Sequence, residues 1–371
     1  MLDRIRQYRR DLHQIPELGR ELPETLRYVE HVLRPLGCRV FSPSEGALCA
    51  WFDAGRARTT AFRADMDALP VEEHTGASYC SGHPGRMHAC GHDGHTAMVL
   101  ELANRIADRR NSLTSNVLLI FQPAEETDGG ARQICQSGVL EEYRVSRIFG
   151  LHLWPGLPAG TLWTRPGAMM AKNSEVNVII SGRSIHITKY AQGVDALAIG
   201  AEALERIYAM AAEELPTEEL RVLRFGRMVS GTVRNALSAR TELQGTLRVF
   251  SMDTFRFLTR RCREILAELE NRYGCKAEAQ FSEGYPPVCN SPELVQAVRD
   301  FLGEAAPSLL PQPDLTAEDF SFYQQRLPGL FCFLGVGDTA PLHAAEFDFD
   351  ESVLEAGVSY YERLLELPEN V

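Results

Sequence analysis

Three of the ten histidines in this 371-residue chain fall within eight residues, in His88-Ala-Cys-Gly-His-Asp-Gly-His95. Thiolate and imidazole are the side chains that borderline-soft transition metals prefer. Cys90 and His92 are separated by one residue. In an extended or loop segment, side chains at i and i+2 share a face, so both can reach one ion. A second group, Gln122-Pro-Ala-Glu125-Glu126, follows the apolar run 117–121. Two adjacent carboxylates at a strand end are expected to point different ways, one toward an ion and the other toward substrate. Metal-assisted hydrolysis needs that division of labour: an ion to acidify water and a carboxylate to take its proton. Alone, a Glu-Glu pair more often marks a solvated loop. His152, in Gly-Leu-His-Leu-Trp154, ends another apolar strand, and His343, in Pro-Leu-His-Ala-Ala-Glu346, follows the run 329–336. Either one alone would more often be a core or surface residue. Together the four pieces offer one Cys, three His and one or two Glu. That exceeds the four ligands of a closed structural zinc site and suits two ions with open positions, the Cys90 thiolate and a water being the candidate bridges. His88 and His95 are expected to shape the loop, and His13, His31, His74 and His83 to be structural or surface residues.

The elements that must position these groups are read from periodicity. Residues 2–36 have helical spacing interrupted at Pro16 and Pro23, which predicts two helices. Segments 47–52, 59–63 and 116–121 are short, apolar and bounded by turn residues, as strands are. Between the last two, Met98, Leu102 and Ile106 predict a helix over 95–110, and the alternation continues to a strand at 147–152. This predicts an α/β fold: a mostly parallel sheet with helices on both faces, where ligands gather outside the carboxyl ends of the strands. Near residue 171 the texture changes. Strand 174–181, helix 195–214, strands 221–229 and 239–250, helix 253–273 and strand 276–282 make an α+β sandwich of their own. The expected organisation is therefore a catalytic domain of residues 1–170 and 285–371, interrupted by a four-stranded domain at 171–284.

Composition narrows the function. The formal net charge is 38 − 50 = −12, which disfavours general nucleic-acid binding and attraction to an anionic membrane. No apolar run approaches the roughly 18–20 residues of a membrane span. The N-terminal stretch is too charged for a signal-peptide core, so a cytoplasmic location is expected, with the nine Cys reduced. Eight of these read as small buried hydrophobes, and Cys90 stands apart.

Taken with Phe62-Arg-Ala-Asp65-Met-Asp67-Ala-Leu-Pro70, the segments HACGHDGH, QPAEE, GLHLWP and PLHAAEF resemble the M20 metallopeptidase family, in particular its amidohydrolase branch. That branch contains the N-acyl-amino-acid, hippurate and auxin-conjugate hydrolases. Residues 10–17 with Glu21 and Thr25, Gly231-Thr-Val-Arg-Asn235, Gly245-Thr-Leu-Arg248 and Ala317-Glu-Asp-Phe-Ser321 also match it. The resemblance implies that Cys90, His92, Glu126, His152 and His343 hold two divalent ions, usually zinc, manganese, cobalt or nickel. It implies that Glu125 is general base and acid, and that the Asp67 carboxylate orients a metal-binding imidazole, with Asp65 supporting the site. The inserted domain would be a lid and dimerisation domain, giving a homodimer. From it His186 would hold an oxyanion and Asn235 a substrate carboxylate, with Arg248 as a further carboxylate partner.

The lid motif departs from the family's. Ser-Ile-His186-Ile-Thr-Lys-Tyr190 lacks the usual second His and its Pro, and Asn235-Ala-Leu-Ser replaces Asn-Val-Ile-Pro. The expected activity is hydrolysis of a small N-acyl amino acid or peptide-like amide. A dipeptidase and an N-acetyl-diaminopimelate deacetylase are alternatives within the family. A catalytically silent metal-binding protein is the alternative outside enzymes, and a thiol enzyme using Cys90 is disfavoured by the absence of a CxxC motif.

Overall fold

The computed structural model describes residues 2–368; residue 1 and residues 369–371 of the expected catalytic domain lie outside them. The chain divides into two compact units, one of Met1–Met169, Val288–Pro313 and Asp319–Val371, the other of Met170–Pro287 and Asp314–Glu318. The short return of 314–318 to the second unit has no counterpart in the sequence reading.

The first unit opens with α1 (Leu2–His13), α2 (Pro23–Leu33), β1 (Arg39–Phe41), β2 (Leu48–Phe52) and β3 (Thr59–Asp65). It continues through α3 (His92–Arg109), β4 (Asn116–Gln122), α4 (Gly130–Gln136), α5 (Val139–Glu142), β5 (Val145–Pro155), β6 (Leu162–Thr164) and β7 (Gly167–Met170). The second unit supplies β8 (Lys172–Ser181), α6 (Ala196–Glu213), β9 (Val222–Ser230), β10 (Arg240–Val249), α7 (Met252–Tyr273) and β11 (Lys276–Phe281). The chain then completes the first unit with β12 (Val288–Asn290), α8 (Pro292–Leu302), β13 (Ser308–Leu309), α9 (Ser321–Gln324), β14 (Gly329–Gly337) and α10 (Val353–Leu364).

The large sheet has the order β1-β2-β4-β3-β5-β14-β6-β13. Its centre, β4-β3-β5-β14, is parallel throughout. The flanking pairs β1-β2, β2-β4 and β14-β6 are antiparallel, so the sheet is mixed, with a parallel heart. In β4, Val117, Leu119 and Phe121 enter the main core, and the intervening Leu118 and Ile120 are fully buried as well. A strand buried on both faces carries no alternation, which is why 117–121 reads as one apolar run.

In the second unit β11-β8-β10-β9 form an antiparallel sheet. Here alternation is clean: Val176, Val178 and Ile180 of β8 are buried, and Glu175 and Ser181 are exposed. Asp195 caps α6 by accepting from the N–H groups of Leu197 and Ala198, and Ser251 caps α7 through Thr254 N–H. Each such cap stabilises by about 1 kcal/mol. Among the described residues, no helix is long and apolar enough to cross a membrane.

Buried ion pairs join α1 to the start of α3. Arg9, 1% exposed, donates to Asp93 (3.2 Å) and to Asp348 (2.6 Å), and its guanidinium stacks 4.1 Å from the Phe349 ring centre. His13 Nδ1 lies 2.8 Å from Asp93, and its Nε2 lies 3.2 Å from Glu73. Both ring nitrogens face carboxylates, so both donate only in the imidazolium form. Burial opposes that charge, but the bonds to Asp93 and Glu73 outweigh it and push the His13 pKa up to about 9. A cation whose pKa rises on folding stabilises fully below its unfolded value near 6.5 and loses that contribution as pH passes about 9. Wild type should therefore exceed His13→Gln in stability by an amount that is largest near pH 6 and shrinks steadily to pH 10. Chemical denaturation across this range checks it; a gap independent of pH would refute the charged pair.

Candidate metal centre

Parallel strands place all their carboxyl ends on one edge, and this edge carries the candidate residues. In the register, Asp65 stands opposite Gln122, and Arg63 opposite Gly150, so His152 lies two residues further on, level with Asp65. Phe333 of β14 pairs with His152, and His343 follows the end of that strand. The loop after β4 holds Glu125 and Glu126, and His92 is the first residue of α3.

Three trios of donors converge: Cys90, His92 and His152; Cys90, Glu126 and His343; His92, Glu125 and Glu126. Within each trio the ligand atoms lie within 4.8 Å of one another. Cys90 belongs to two of them. Its Sγ lies 3.5 Å from His152 Nε2, and Glu126 Oε1 lies 3.2 Å from His343 Nε2 and 3.8 Å from His92 Nε2.

Cys90 and His92 meet across the loop that opens α3. Gly91 caps α3 at φ 83°, a left-handed turn after which His92 is already helical. A Cβ at Gly91 would also stand 2.9 Å from Leu153 Cδ1, but it is the left-handed backbone that favours glycine here. One oxygen of each of the two glutamates lies within 4.8 Å of the other and of a His92 nitrogen, so both carboxylates serve one site. Ala124, at φ 59°, bends the loop so that consecutive side chains serve one site. His343 is the other non-glycine residue of the site with a left-handed backbone, at φ 67°, and its N–H is held by Ala89 O at 2.8 Å.

The imidazoles are oriented from behind. His92 Nδ1 bonds Asp67 O at 2.8 Å, and His152 Nδ1 bonds Leu153 O at 2.7 Å. Each carbonyl can only accept, which assigns the proton to Nδ1 and leaves the Nε2 lone pair facing the cluster. Asp67 meets His92 Nδ1 with two groups: its backbone carbonyl makes the hydrogen bond, and its carboxylate Oδ1 lies 3.6 Å from the same nitrogen. The carboxylate also accepts from the N–H groups of Glu125 (3.0 Å) and Glu126 (3.1 Å). Asp65 binds His95 Nδ1 at 2.6 Å, and His95 Nε2 accepts from Leu153 N–H at 2.9 Å. With both nitrogens engaged, His95 is a strut beneath His152. His88 is buried with neither ring nitrogen bonded among the described residues, and burial lowers its pKa to about 3.

The donor set fits a cation. Among the described residues, His92 Nε2 is buried without a hydrogen bond, and Glu126 Oε1 is buried with only the imidazoles of His343 and His92 facing it, a donor set that suits a shared cation. Burial, reinforced by Glu126 and Glu125, pushes the Cys90 thiol well up. Burial also lowers His152 to about 3. At His92 burial is outweighed by Asp65, Asp67 and Glu126, and the pKa rises to about 10. A divalent ion inverts this electrostatic balance by stabilising the thiolate and displacing the imidazole proton.

His186 and Asn235 sit on paired loops of the second unit. His186 bridges Ala236, and Ile187 N–H bonds Asn235 O at 3.0 Å. His186 is exposed, its Nδ1 2.9 Å from Thr188 Oγ1. Arg248 lies at the far end of β10 from the loop that carries Asn235, eight residues beyond Arg240, a span of roughly 26 Å at about 3.3 Å per residue. One copy of this unit therefore brings His186 and Asn235 together, and not Arg248.

Sequence reasoning missed the buried polar group behind the site. Arg63 bonds Gln122 Oε1 (3.0 Å), Asp65 (2.7 Å) and Asp319 (2.8 Å), and Tyr323 donates to Gln122 Oε1 at 3.0 Å. The available signal was an arginine inside an apolar strand, which demands a buried carboxylate partner.

Residues 61–367 match Peptidase family M20/M25/M40. Uncharacterized hydrolases of Staphylococcus aureus and Staphylococcus saprophyticus are each 33% identical to this chain, covering 98% of it and 98% and 97% of their own lengths. A putative aminohydrolase from methicillin-resistant S. aureus superposes with a TM-score of 0.92 at 28% identity, over 99% of this chain and 97% of that one. The Bacillus subtilis YXEP protein, described as a dinuclear metal-binding peptidase from the M20 family, superposes with a TM-score of 0.86 at 29% identity, over 98% of this chain and 97% of that one. The family model and the relatives that match nearly the whole chain agree: the chain belongs to peptidase family M20/M25/M40.

Proposed function

We propose that this protein hydrolyses the amide bond between an acyl group and an amino acid bearing a free carboxylate, using two divalent transition-metal ions. The observation that carries the reading is the pair of donor trios sharing Cys90, with the Glu125 carboxylate beside them. Cys90, His92, Glu126, His152 and His343 would hold the ions. The thiolate and imidazoles favour zinc, manganese, cobalt or nickel over magnesium or calcium. The dinuclear description of the B. subtilis neighbour supports the count of two. Bound there, such ions polarise a carbonyl and acidify water.

The chain's own residues supply the rest. Glu125 is 8% exposed, and its loop is gripped at two consecutive N–H groups by Asp67. Held this way, its carboxylate takes a proton from the attacking water and returns it to the leaving amine nitrogen. A silent binding protein has no use for a second carboxylate beside Glu126, which favours an enzyme. His186 would hold the developing oxyanion and Asn235 the substrate carboxylate, and Arg248, remote from that loop within one copy, would join them only from a second copy. A homodimer through the second unit is supported by its edge strand β9, where Met228 and Val229 are 37% and 45% exposed, and by Val233 at 59% in the next loop. Lys189 and Tyr190 next to His186 are exposed and would tune substrate choice.

The test is turnover of N-acetyl amino acids, N-benzoyl amino acids and dipeptides by the metal-loaded protein. N-acyl amino acids should be cleaved, and exhaustive chelation should abolish cleavage. Activity that survives chelation, or is confined to dipeptides, would overturn the reading. Glu125→Gln should retain its metal by elemental analysis and lose at least about 100-fold in kcat; near-normal turnover would remove Glu125 as the base. Cys90→Ala should lose metal, and full occupancy in that variant would remove Cys90 as a ligand.

A further inference from the structure

We infer that Asp319 is the positioning residue for the loop carrying Glu125 and Glu126, an inference that rests on the hydrolytic reading of that loop. Asp319 is fully buried. Its Oδ1 accepts from Arg63 Nη2 and Gln122 Nε2, both at 2.8 Å. Its Oδ2 accepts from Gln122 Nε2 at 2.8 Å and from Ala131 N–H at 3.0 Å. Gln122 is the last residue of β4, and Ala131 is the second of α4. One carboxylate thus fastens both ends of loop 123–130, and an oxygen of Glu125 lies within 4.8 Å of it.

The loop needs such a fastener. Helix α4 starts from Gly129, which has no side chain to cap it, and Ala131 N–H belongs to the first-turn donors that a helix leaves unpaired. The ends of the loop also touch: a Cβ on Gly130 would meet Pro123 O at 1.9 Å. Asp67 restrains the middle of the loop and Asp319 its ends, so the position of Glu125 is set by two carboxylates from β-strand loops. Neutralising Arg63 does not by itself require Asp319, since Arg63 already pairs with Asp65 at 2.7 Å. What Asp319 adds is the tie to Gln122 and Ala131. It acts on chemistry through Glu125 and touches no reacting atom.

The test separates the tie from the charge. In Asp319→Asn the one remaining oxygen is claimed by the Arg63 cation, the NH2 then faces Ala131 N–H, and the tie fails. In Asp319→Asn/Gln122→Glu the buried negative charge beside Arg63 returns, yet Ala131 N–H still lacks its acceptor. For Asp319→Asn we expect amide hydrogen exchange over 124–131 to accelerate at least about tenfold while β3, β5 and β14 stay protected. We expect kcat on the cleaved N-acyl amino acid to fall about 100-fold with KM within about threefold. The double variant should regain most of the lost Tm but neither the protection at Ala131 nor kcat. Unchanged exchange over 124–131 in Asp319→Asn, or kcat recovering in step with Tm in the double variant, would reduce Asp319 to a buried counter-ion and overturn the inference. Should Asp319→Asn fail to fold, Asp319→Glu, which keeps the charge and lengthens the side chain, carries the same expectations. Exchange needs no substrate. If the wild type cleaves none of the N-acyl amino acids, the hydrolytic reading fails, while exchange still decides whether Asp319 holds the loop.

Discussion

Directionality of the lone pairs on two buried imidazoles constrains everything else in the first unit. His92 and His152 each present Nε2 to the cluster because a backbone carbonyl holds Nδ1, at 2.8 Å and 2.7 Å. Those carbonyls belong to the segment after β3 and to β5 itself, neighbouring strands of a parallel sheet. Ring orientation is therefore inherited from sheet register: slip β3 by one residue and its side chains exchange faces. Asp65 and His95 extend the same logic, since His95 bonds the N–H of Leu153, the residue that also holds His152.

Such a site concentrates ionisable groups in a dry interior, and burial opposes each charge. The protein responds with pairing on every side. Arg63 lies between Asp65 and Asp319, and Arg9 between Asp93 and Asp348. Asp65 and Asp93 are held well below the usual carboxylate range despite their burial, chiefly by Arg63 and Arg9 respectively. These pairs anchor α1 to α3 and β3 to the segment before α9, so the groups that offset desolvation are also the ones that fix geometry. Removing one partner would leave an uncompensated buried charge, which is strongly destabilising.

The second unit obeys simpler rules. Its sheet has one buried face and one open face, its two long helices are capped by Asp195 and Ser251, and its core is apolar. Its chemistry sits in loops, where His186 and Asn235 are paired through backbone bonds without constraint on the imidazole beyond Thr188. Loops on a rigid sheet can vary without disturbing the fold.

Sequence alone determined the features that composition and local periodicity dictate. The elements of the second unit and the central strands of the first were legible to within a few residues, strand 174–181 becoming Lys172–Ser181 and helix 253–273 Met252–Tyr273, whereas short elements such as β1, β6, β7 and α4 carried too little periodicity to be read. The donor types were legible too, because metal chemistry selects thiolate and imidazole whatever the fold. Helix α3 was placed three residues late, since His92 opens it behind a left-handed Gly91 that local spacing does not reveal. The shared approach of Glu125 and Glu126, the carbonyl of Asp67 that orients His92, and the grip of Asp319 on loop 123–130 depend on contacts up to 256 residues apart. Periodicity reports only which face of an element is apolar. Which polar atom meets which, and at what angle, is decided when distant strand ends are brought to one edge, and that is a property of the tertiary structure.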